Sequence, residues 1–420
     1  MKTSYRLTRD ASLFWGLLTQ VTSSLANVAL MILSGRLLGP SGLGAVSLSF
    51  AGYILVLGLN RALIAEPLAA ASGGLGSDQR RASVRSALTL SLGMGGLASL
   101  LFAGVGFASG SGIGRSLLIV APWLIPAMVR DLGRTVLFME NRPRAAAATE
   151  LAWLLGMAVS APLPLELRSE WALVAWWGMG ALASAFWGFL RLDASPVRIS
   201  LAWKLFRTRL VRLGSWLAAG SVVSNASVAA TSYLIAVSLG IEALGGFRAA
   251  QTLFAPLTLV APAISLPVLP KLSGVIAADN LRAMRLAFSV SALAVTVTVL
   301  YLLAILMSGG LMSLVFGPSF LTYSAMLLPF GVGQVALSLG LGPTLLLKAG
   351  SRGRGLVVGW SVSALLSLLL IVPAARIYGI IGAAWAVTIG ACFATLVHGV
   401  IALSVARPGW MSNRALGGSQ

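Results

Sequence analysis

The chain has 420 residues, 58% of them hydrophobic and only 10% charged, with a mean hydropathy of +0.92. A soluble domain of that make-up would lack the polar surface to cover itself, so composition places the chain in a lipid bilayer. The formal charge of +19 would point to nucleic acid in a soluble protein, but in a membrane protein it must first be counted loop by loop.

A membrane-spanning helix takes about 20 apolar residues. Such stretches run through residues 11–33, 45–65, 87–109, 117–139, 145–165 and 171–190. Six more follow at 213–239, 247–269, 286–307, 323–347, 356–375 and 383–403. They predict an all-α polytopic membrane protein of about twelve transmembrane helices, six in each half. A closed β-barrel is the other way to span, but these runs are too long and too continuously apolar for alternating strands. The first run follows Lys2, Arg6 and Arg9 and contains Ser24-Leu25-Ala26, as a cleaved signal peptide would. Its length, and a counterpart in mid-chain, predict a permanent helix instead.

That counterpart is part of an internal repeat. Trp15, Val21, Ser23, Ala29, Leu33, Leu38, Gly39, Leu43 and Gly44 recur 201 residues later as Trp216, Val222, Ser224, Ala230, Leu234, Leu239, Gly240, Leu244 and Gly245. Nine identities in the thirty positions from Trp15 to Gly44 exceed the roughly three that chance would give in so apolar a chain, which indicates a duplicated unit. Six helices per repeat, an even number, imply parallel repeats about an axis along the membrane normal.

With the N-terminus inside, 22 of the 30 basic residues fall in cytoplasmic segments and four outside, at Arg36, Arg115, Arg168 and Arg376. The positive-inside rule then sets both termini in the cytoplasm of a multi-pass cell-membrane protein. The predicted organisation is a first bundle at 1–190, a basic linker at 191–212, a second bundle at 213–406 and a tail at 407–420. Basic and apolar residues alternate in the linker at near-helical spacing. That suits either a helix resting on an anionic leaflet or a site for docking a partner.

Several chemistries lack their residues. No Gly-Lys dipeptide occurs, so there is no phosphate-binding loop for ATP. Eleven acidic residues spread singly do not supply clustered metal ligands, and no Gly-x-Ser-x-Gly elbow is present. Gly42 with Gly44, and Gly112 with Gly114, imitate part of a dinucleotide fingerprint without the strand it needs. Cys392 has no second cysteine to pair with, and His398 stands alone on an apolar helix, where a structural role is commoner than proton relay. No catalytic group, metal or cofactor is expected, which favours a transporter over an enzyme, with Na⁺ or H⁺ coupling left open.

Four arginines remain inside predicted spans, where charge facing lipid is costly: Arg61, Arg130, Arg134 and Arg248. Arg130 and Arg134 share a helix face, and Asp131, three residues before Arg134, partly compensates it. Arg248 and Gln251 share another face, and Asn60 and Arg61 precede Glu66. Arg61 and Arg248 lie near helix ends, so snorkelling to headgroups competes with a cavity role. Polar positions on the first and seventh helices match across the repeat: Gln20, Ser23 and Ser24 with Ser221, Ser224 and Asn225, while Asn27 extends the first stripe. These residues would either line a cavity or bridge close-packed helices.

Leu38-Gly-Pro-Ser-Gly-Leu-Gly44, Asn60-Arg-Ala-Leu-Ile-Ala-Glu-Pro67, the basic turn Lys348 to Arg354 and Tyr378-Gly-Ile-Ile-Gly-Ala-Ala384, in that order, carry a resemblance. Over nearly the whole chain the sequence resembles the multidrug/oligosaccharidyl-lipid/polysaccharide exporter superfamily, in its polysaccharide-biosynthesis (Wzx-like) flippase branch. The resemblance implies two six-helix bundles around a V-shaped central cavity, alternating access, and polyprenyl-pyrophosphate-linked oligosaccharide as cargo. On that basis Arg61 and Arg248 would hold the diphosphate, Arg130 and Arg134 would extend the basic lining, and Gln20, Ser24, Asn27, Asn60, Asn225 and Gln251 would contact sugar. The expected partners are the bilayer, the lipid-linked glycan and glycan polymerase or export proteins, not nucleic acid. The competing reading is a cation-coupled multidrug antiporter of the same superfamily, with Asp131, Glu66 and Glu150 as candidate coupling carboxylates. A membrane-embedded glycosyltransferase or polymerase is a further alternative, although such enzymes usually carry a large polar outer loop, which this chain lacks.

Overall fold

The computed structural model describes residues 2–71, 76–192, 195–205, 211–276, 279–350 and 352–405. Among them there is helix and no strand. The α-helices in chain order are α1 (Lys2–Asn60), α2 (Glu66–Ala71), α3 (Ser77–Ser109), α4 (Gly112–Val120), α5 (Leu124–Met139) and α6 (Pro143–Val159). Then come α7 (Pro162–Leu167), α8 (Glu170–Arg191), α9 (Ile199–Leu205), α10 (Val211–Leu239), α11 (Ile241–Leu253) and α12 (Val260–Ile276). The last are α13 (Asn280–Met307), α14 (Leu311–Phe316), α15 (Leu327–Leu339), α16 (Leu341–Ala349) and α17 (Gly353–Val405). Among the described residues eight helices are long and apolar enough to cross a membrane, or nine if the bent pair Ile241–Leu253 and Ala255–Ser265 forms one span. The chain is therefore a multi-pass, all-helical membrane protein.

The expected figure of twelve and this figure count differently, for identifiable reasons. α1 is 59 residues long and α17 is 53, each more than twice what one span needs. Each is broken internally by a left-handed glycine, Gly39 (φ 69°) in α1 and Gly379 (φ 61°) in α17. α6, with 17 residues, is slightly shorter than a full span.

By contacts the chain divides into two units, Met1–Ala255 with Gly310–Ser324, and Pro256–Gly309 with Ala325–Gln420. The bundles expected at 1–190 and 213–406 are a division by repeat, and that division stays an expectation.

The first unit is built around α1. Of its most apolar window 72% is buried, against 22% for α3, so α1 is packed on most sides while α3 turns Leu100, Val105 and Phe107 outward. Outward-facing large apolar groups are what a lipid solvent allows. Ile64, Leu68, Leu88, Leu132, Val136 and Leu192 form a core joining α2, α3, α5 and α8. Arg36 closes the end of α14 by donating to the carbonyls of Val315 (2.8 Å) and Leu314 (2.5 Å), which have no helical partner there. In the linker, α9 is held on α3: Val197 N donates to Thr89 Oγ1 (2.8 Å) and Arg85 Nε to Ser195 O (3.1 Å). α9 exposes Ile199, Leu201 and Trp203; residues 206–210 lie outside the described ones.

The duplicated sequence meets itself inside this unit. Gly39 and Gly240, 201 residues apart, both adopt left-handed backbone, φ 69° and 92°, which L side chains avoid. Beyond each break the next repeat partners interlock. A Cβ on Gly44 would strike the carbonyl oxygen of Ile241, and a Cβ on Gly245 would strike that of Pro40. Pro40 and Ile241 are themselves 201 apart, so the contact is reciprocal, as a pseudo-twofold axis between α1 and α11 requires. The conserved spacing of these glycines within the chain thus has a physical cause: only glycine lets the two helices approach backbone to backbone.

The second unit packs α12, α13, α16 and α17 around Leu272, Ala283, Ala287, Leu345, Leu347 and Leu356. His398 is buried on α17, with Nε2 3.2 Å from the carbonyl of Leu356 and its ring edge-on to Trp360. Those contacts are structural. Cys392 is a free thiol.

Candidate functional site

The site lies in the first unit, where α1 ends. After Asn60 the helix widens into one π turn, Arg61–Ala65. Such turns insert a residue, break the regular hydrogen-bond ladder and are frequent at functional positions. Arg61 emerges at the first position of this turn. Asn60 is fully buried, and neither its amide nitrogen nor its oxygen has a hydrogen-bond partner among the described residues. Buried polar groups are normally paired, so this pair of orphans marks a place where a further polar group fits.

Arg61 grips Asp131 of α5 with both prongs of its guanidinium, Nε to Oδ2 at 2.9 Å and Nη2 to Oδ1 at 2.5 Å. Asp131 Oδ1 also accepts from Arg134 Nη2 at 2.9 Å, the i,i+3 pairing that the sequence spacing predicts. Arg130, on the same helix, donates through Nη2 to Glu150 Oε2 of α6 at 2.6 Å and to Ser23 Oγ at 3.4 Å. Arg134 Nη1 closes the circuit at 3.6 Å from Glu150 Oε1. Three cations therefore share Asp131 and Glu150, and a third carboxylate, Glu66, also acts on Arg61, so the charges of the network balance.

Burial within the network is graded. Asp131, Glu150 and Arg130 are buried, the Arg134 side chain is 16% exposed and that of Arg61 39% exposed. The carboxylates are the most buried members and the Arg61 side chain is the most exposed. Taking these ions out of water is tolerable because each charge is met by an opposite one and by hydrogen bonds. Arg130 gains a further contact, its guanidinium carbon lying 3.7 Å from the centre of the Trp153 ring.

Behind this lies an aromatic group that sequence reasoning missed. Trp153 stacks edge-to-face with Trp177, which meets Tyr53 and Phe50. Trp153 Nε1 donates to the carbonyl of Trp177 (3.2 Å), and Trp177 Nε1 donates to Asn27 Oδ1 (3.1 Å). The available signal was Glu150 followed three residues later by Trp153, one face of α6 offering an anion and a π surface to the same arginine.

The remaining expected residues distribute as follows. Arg248, half-buried on α11, donates to Ser232 Oγ (2.5 Å) and Gln251 Oε1 (3.0 Å), both neutral, and its Nε has no partner. Arg61 and Arg248 share no partner. Asn225 of α10 packs against Gly58 of α1, two residues before Asn60. Gln20 is exposed, Ser24 half-buried, and Glu66 half-buried at the start of α2. The side chain of Ser221 lies outside the described ones. Among the described residues no group of three or more His, Cys, Asp or Glu could hold a metal ion.

No protein-family model matches the sequence, and no characterised protein aligns with it significantly. Solved structures do share its fold. An inward-facing multidrug-resistance MATE family transporter of the MOP superfamily superposes with a TM-score of 0.71 at 14% identity, over 94% of this chain and 96% of its own. Lipid II flippase MurJ in an inward closed conformation gives 0.70 at 13% identity, over 94% and 90%. A MOP superfamily transporter from Pyrococcus furiosus, noted for the reverse polarity of its binding pocket, gives 0.62 at 14% identity, over 94% of each chain. At these identities the likeness establishes a MATE- and MurJ-like fold.

Proposed function

We propose that the protein is a flippase that carries a polyprenyl-pyrophosphate-linked oligosaccharide across the cytoplasmic membrane by alternating access, for polysaccharide export. The observation that carries this reading is the charge of the site: Arg61, Arg130 and Arg134 are matched by Asp131, Glu150 and Glu66, while the described partners of Arg248 are neutral, which leaves one positive charge in excess. An anionic cargo relieves that excess, and a cationic one would aggravate it.

The geometry suggests how cargo is taken. The fork that holds both oxygens of Asp131 matches two oxygens of a phosphate equally well. When Arg61 turns to the diphosphate, Asp131 keeps Arg134, so no buried carboxylate is stranded. Asn60 supplies an amide to the head group, and the lipid tail stays in the bilayer throughout. The MurJ-like fold supports this cargo class, since that neighbour is named as a flippase of lipid II.

The test is Arg61→Ala and Arg248→Ala in a cell whose glycan export depends on this protein. Each variant should abolish export at unchanged protein level; full activity in both would refute the assignment. The second reading, a cation-coupled multidrug antiporter, is favoured by the MATE neighbours and by Asp131 and Glu150 as intramembrane carboxylates. It predicts ion-driven efflux of a cationic dye.

A further inference from the structure

The second unit has an unusual charge balance. It contains one acidic residue, Asp279, and nine basic ones, and no acidic residue follows Asp279 to the end of the chain. The Asp279 carboxylate is already used, capping α13 by accepting from Arg282 N at 3.0 Å. Within the unit, little carboxylate is left to balance its cations.

Three of those cations, Lys271, Arg282 and Arg285, lie near the adjoining ends of α12 and α13. Lys271 lies five residues before the end of α12, Arg282 and Arg285 share a face in the first two turns of α13, and Gly350, in the turn between Lys348 and Arg354, lies against Ile276. Between α12 and α13 runs a groove of about 610 Å³ whose lining includes Lys271, Arg282 and Arg285 together with Val275, Leu286 and Ser289. Both helices contribute cationic and apolar residues to it. Beside it α13 turns Leu281 and Phe288 outward, 67% and 65% exposed, a surface that only hydrocarbon covers without cost. The groove is therefore amphiphilic in the order a phospholipid is: charge at the rim of the membrane, hydrocarbon along the helix.

We propose that this groove binds an anionic phospholipid from the leaflet that the positive-inside rule makes cytoplasmic, with Lys271, Arg282 and Arg285 on its phosphate and its acyl chains along Leu286 and Phe288. The site is separate from the arginine network of the first unit, so it stands whatever the cargo is.

The experiment uses the full-length protein in neutral detergent and measures retained lipid by native mass spectrometry, with thermal stability as second readout. Phosphatidylglycerol is compared with phosphatidylcholine and with inorganic phosphate. Each basic residue beside an anionic headgroup contributes a factor of about five, so Lys271→Gln/Arg282→Gln/Arg285→Gln should weaken phosphatidylglycerol binding by about 100-fold. Arg285→Gln alone should weaken it by about fivefold, which keeps the test alive if the triple variant misfolds. Arg376→Gln, some 20 residues along α17 from the basic turn, should change nothing. Unchanged binding in both groove variants overturns the proposal, as does equal retention of phosphatidylcholine. Stabilisation by inorganic phosphate as large as by the lipid would make the ligand a soluble anion and overturn it too.

Discussion

Replacing Asp131 by Asn perturbs the network at its most connected point. The carboxylate accepts three short hydrogen bonds, two from Arg61 and one from Arg134, and is fully buried. The amide keeps the shape but removes the charge, and it presents an N–H₂ to one guanidinium that can only donate. Three cations then face two carboxylates, Glu150 and Glu66, and one positive charge is left unmatched. Removing one partner from a buried ion pair costs about 3–5 kcal/mol, whereas the exposed pair Arg142–Glu140 at 3.2 Å should contribute under about 1 kcal/mol. Denaturant unfolding in detergent should therefore place Asp131→Asn far below Glu140→Gln. Adding Arg61→Gln to Asp131→Asn restores the original charge balance, and should recover about 1–3 kcal/mol, the range for residues in one network. Wild-type stability of Asp131→Asn, or strictly additive losses in the double variant, would refute the account of a charge-balanced network.

Two further outcomes follow from packing. Gly44→Ala drives a methyl into the Ile241 carbonyl and Gly245→Ala into that of Pro40, so each should cost about 1–3 kcal/mol. Gly104→Ala, with open space around it, should be neutral or stabilise by up to about 1 kcal/mol; the same unfolding measurement ranks all three. Trp153→Phe keeps a ring under Arg130 and loses the hydrogen bond to Trp177, about 1 kcal/mol. Trp153→Leu loses the cation–π contact as well, about 2 kcal/mol more in a desolvated setting, and should also lower transport.

Composition and period made the membrane class legible, and the repeat was legible as a duplicated unit, whereas the packing of α1 on α11 through its matched glycines appears only in the structure. Arg130, Asp131 and Arg134 could be grouped from spacing alone, since neighbours at i,i+3 and i,i+4 share a helix face. Spacing says nothing of contacts between helices. The joining of Arg61 to Asp131, seventy residues away, and of Glu150 to Arg130 depends on how α1, α5 and α6 pack. The π turn at Arg61 was equally hidden: Arg-Ala-Leu-Ile-Ala reads as ordinary helix, and the extra residue is fixed by its surroundings. The span count differed because α1 and α17 are each counted as one span, although Gly39 and Gly379 break each of them into two helices.

The central claim is that the excess positive charge selects an anionic lipid-linked cargo. Its most direct test is the purified protein in liposomes, assayed side by side for flipping of a labelled polyprenyl-pyrophosphate sugar and for efflux of a cationic dye. The account predicts lipid flipping that is lost in Arg61→Ala, with no dye transport. Dye efflux without lipid flipping would contradict it and make the antiporter the better reading.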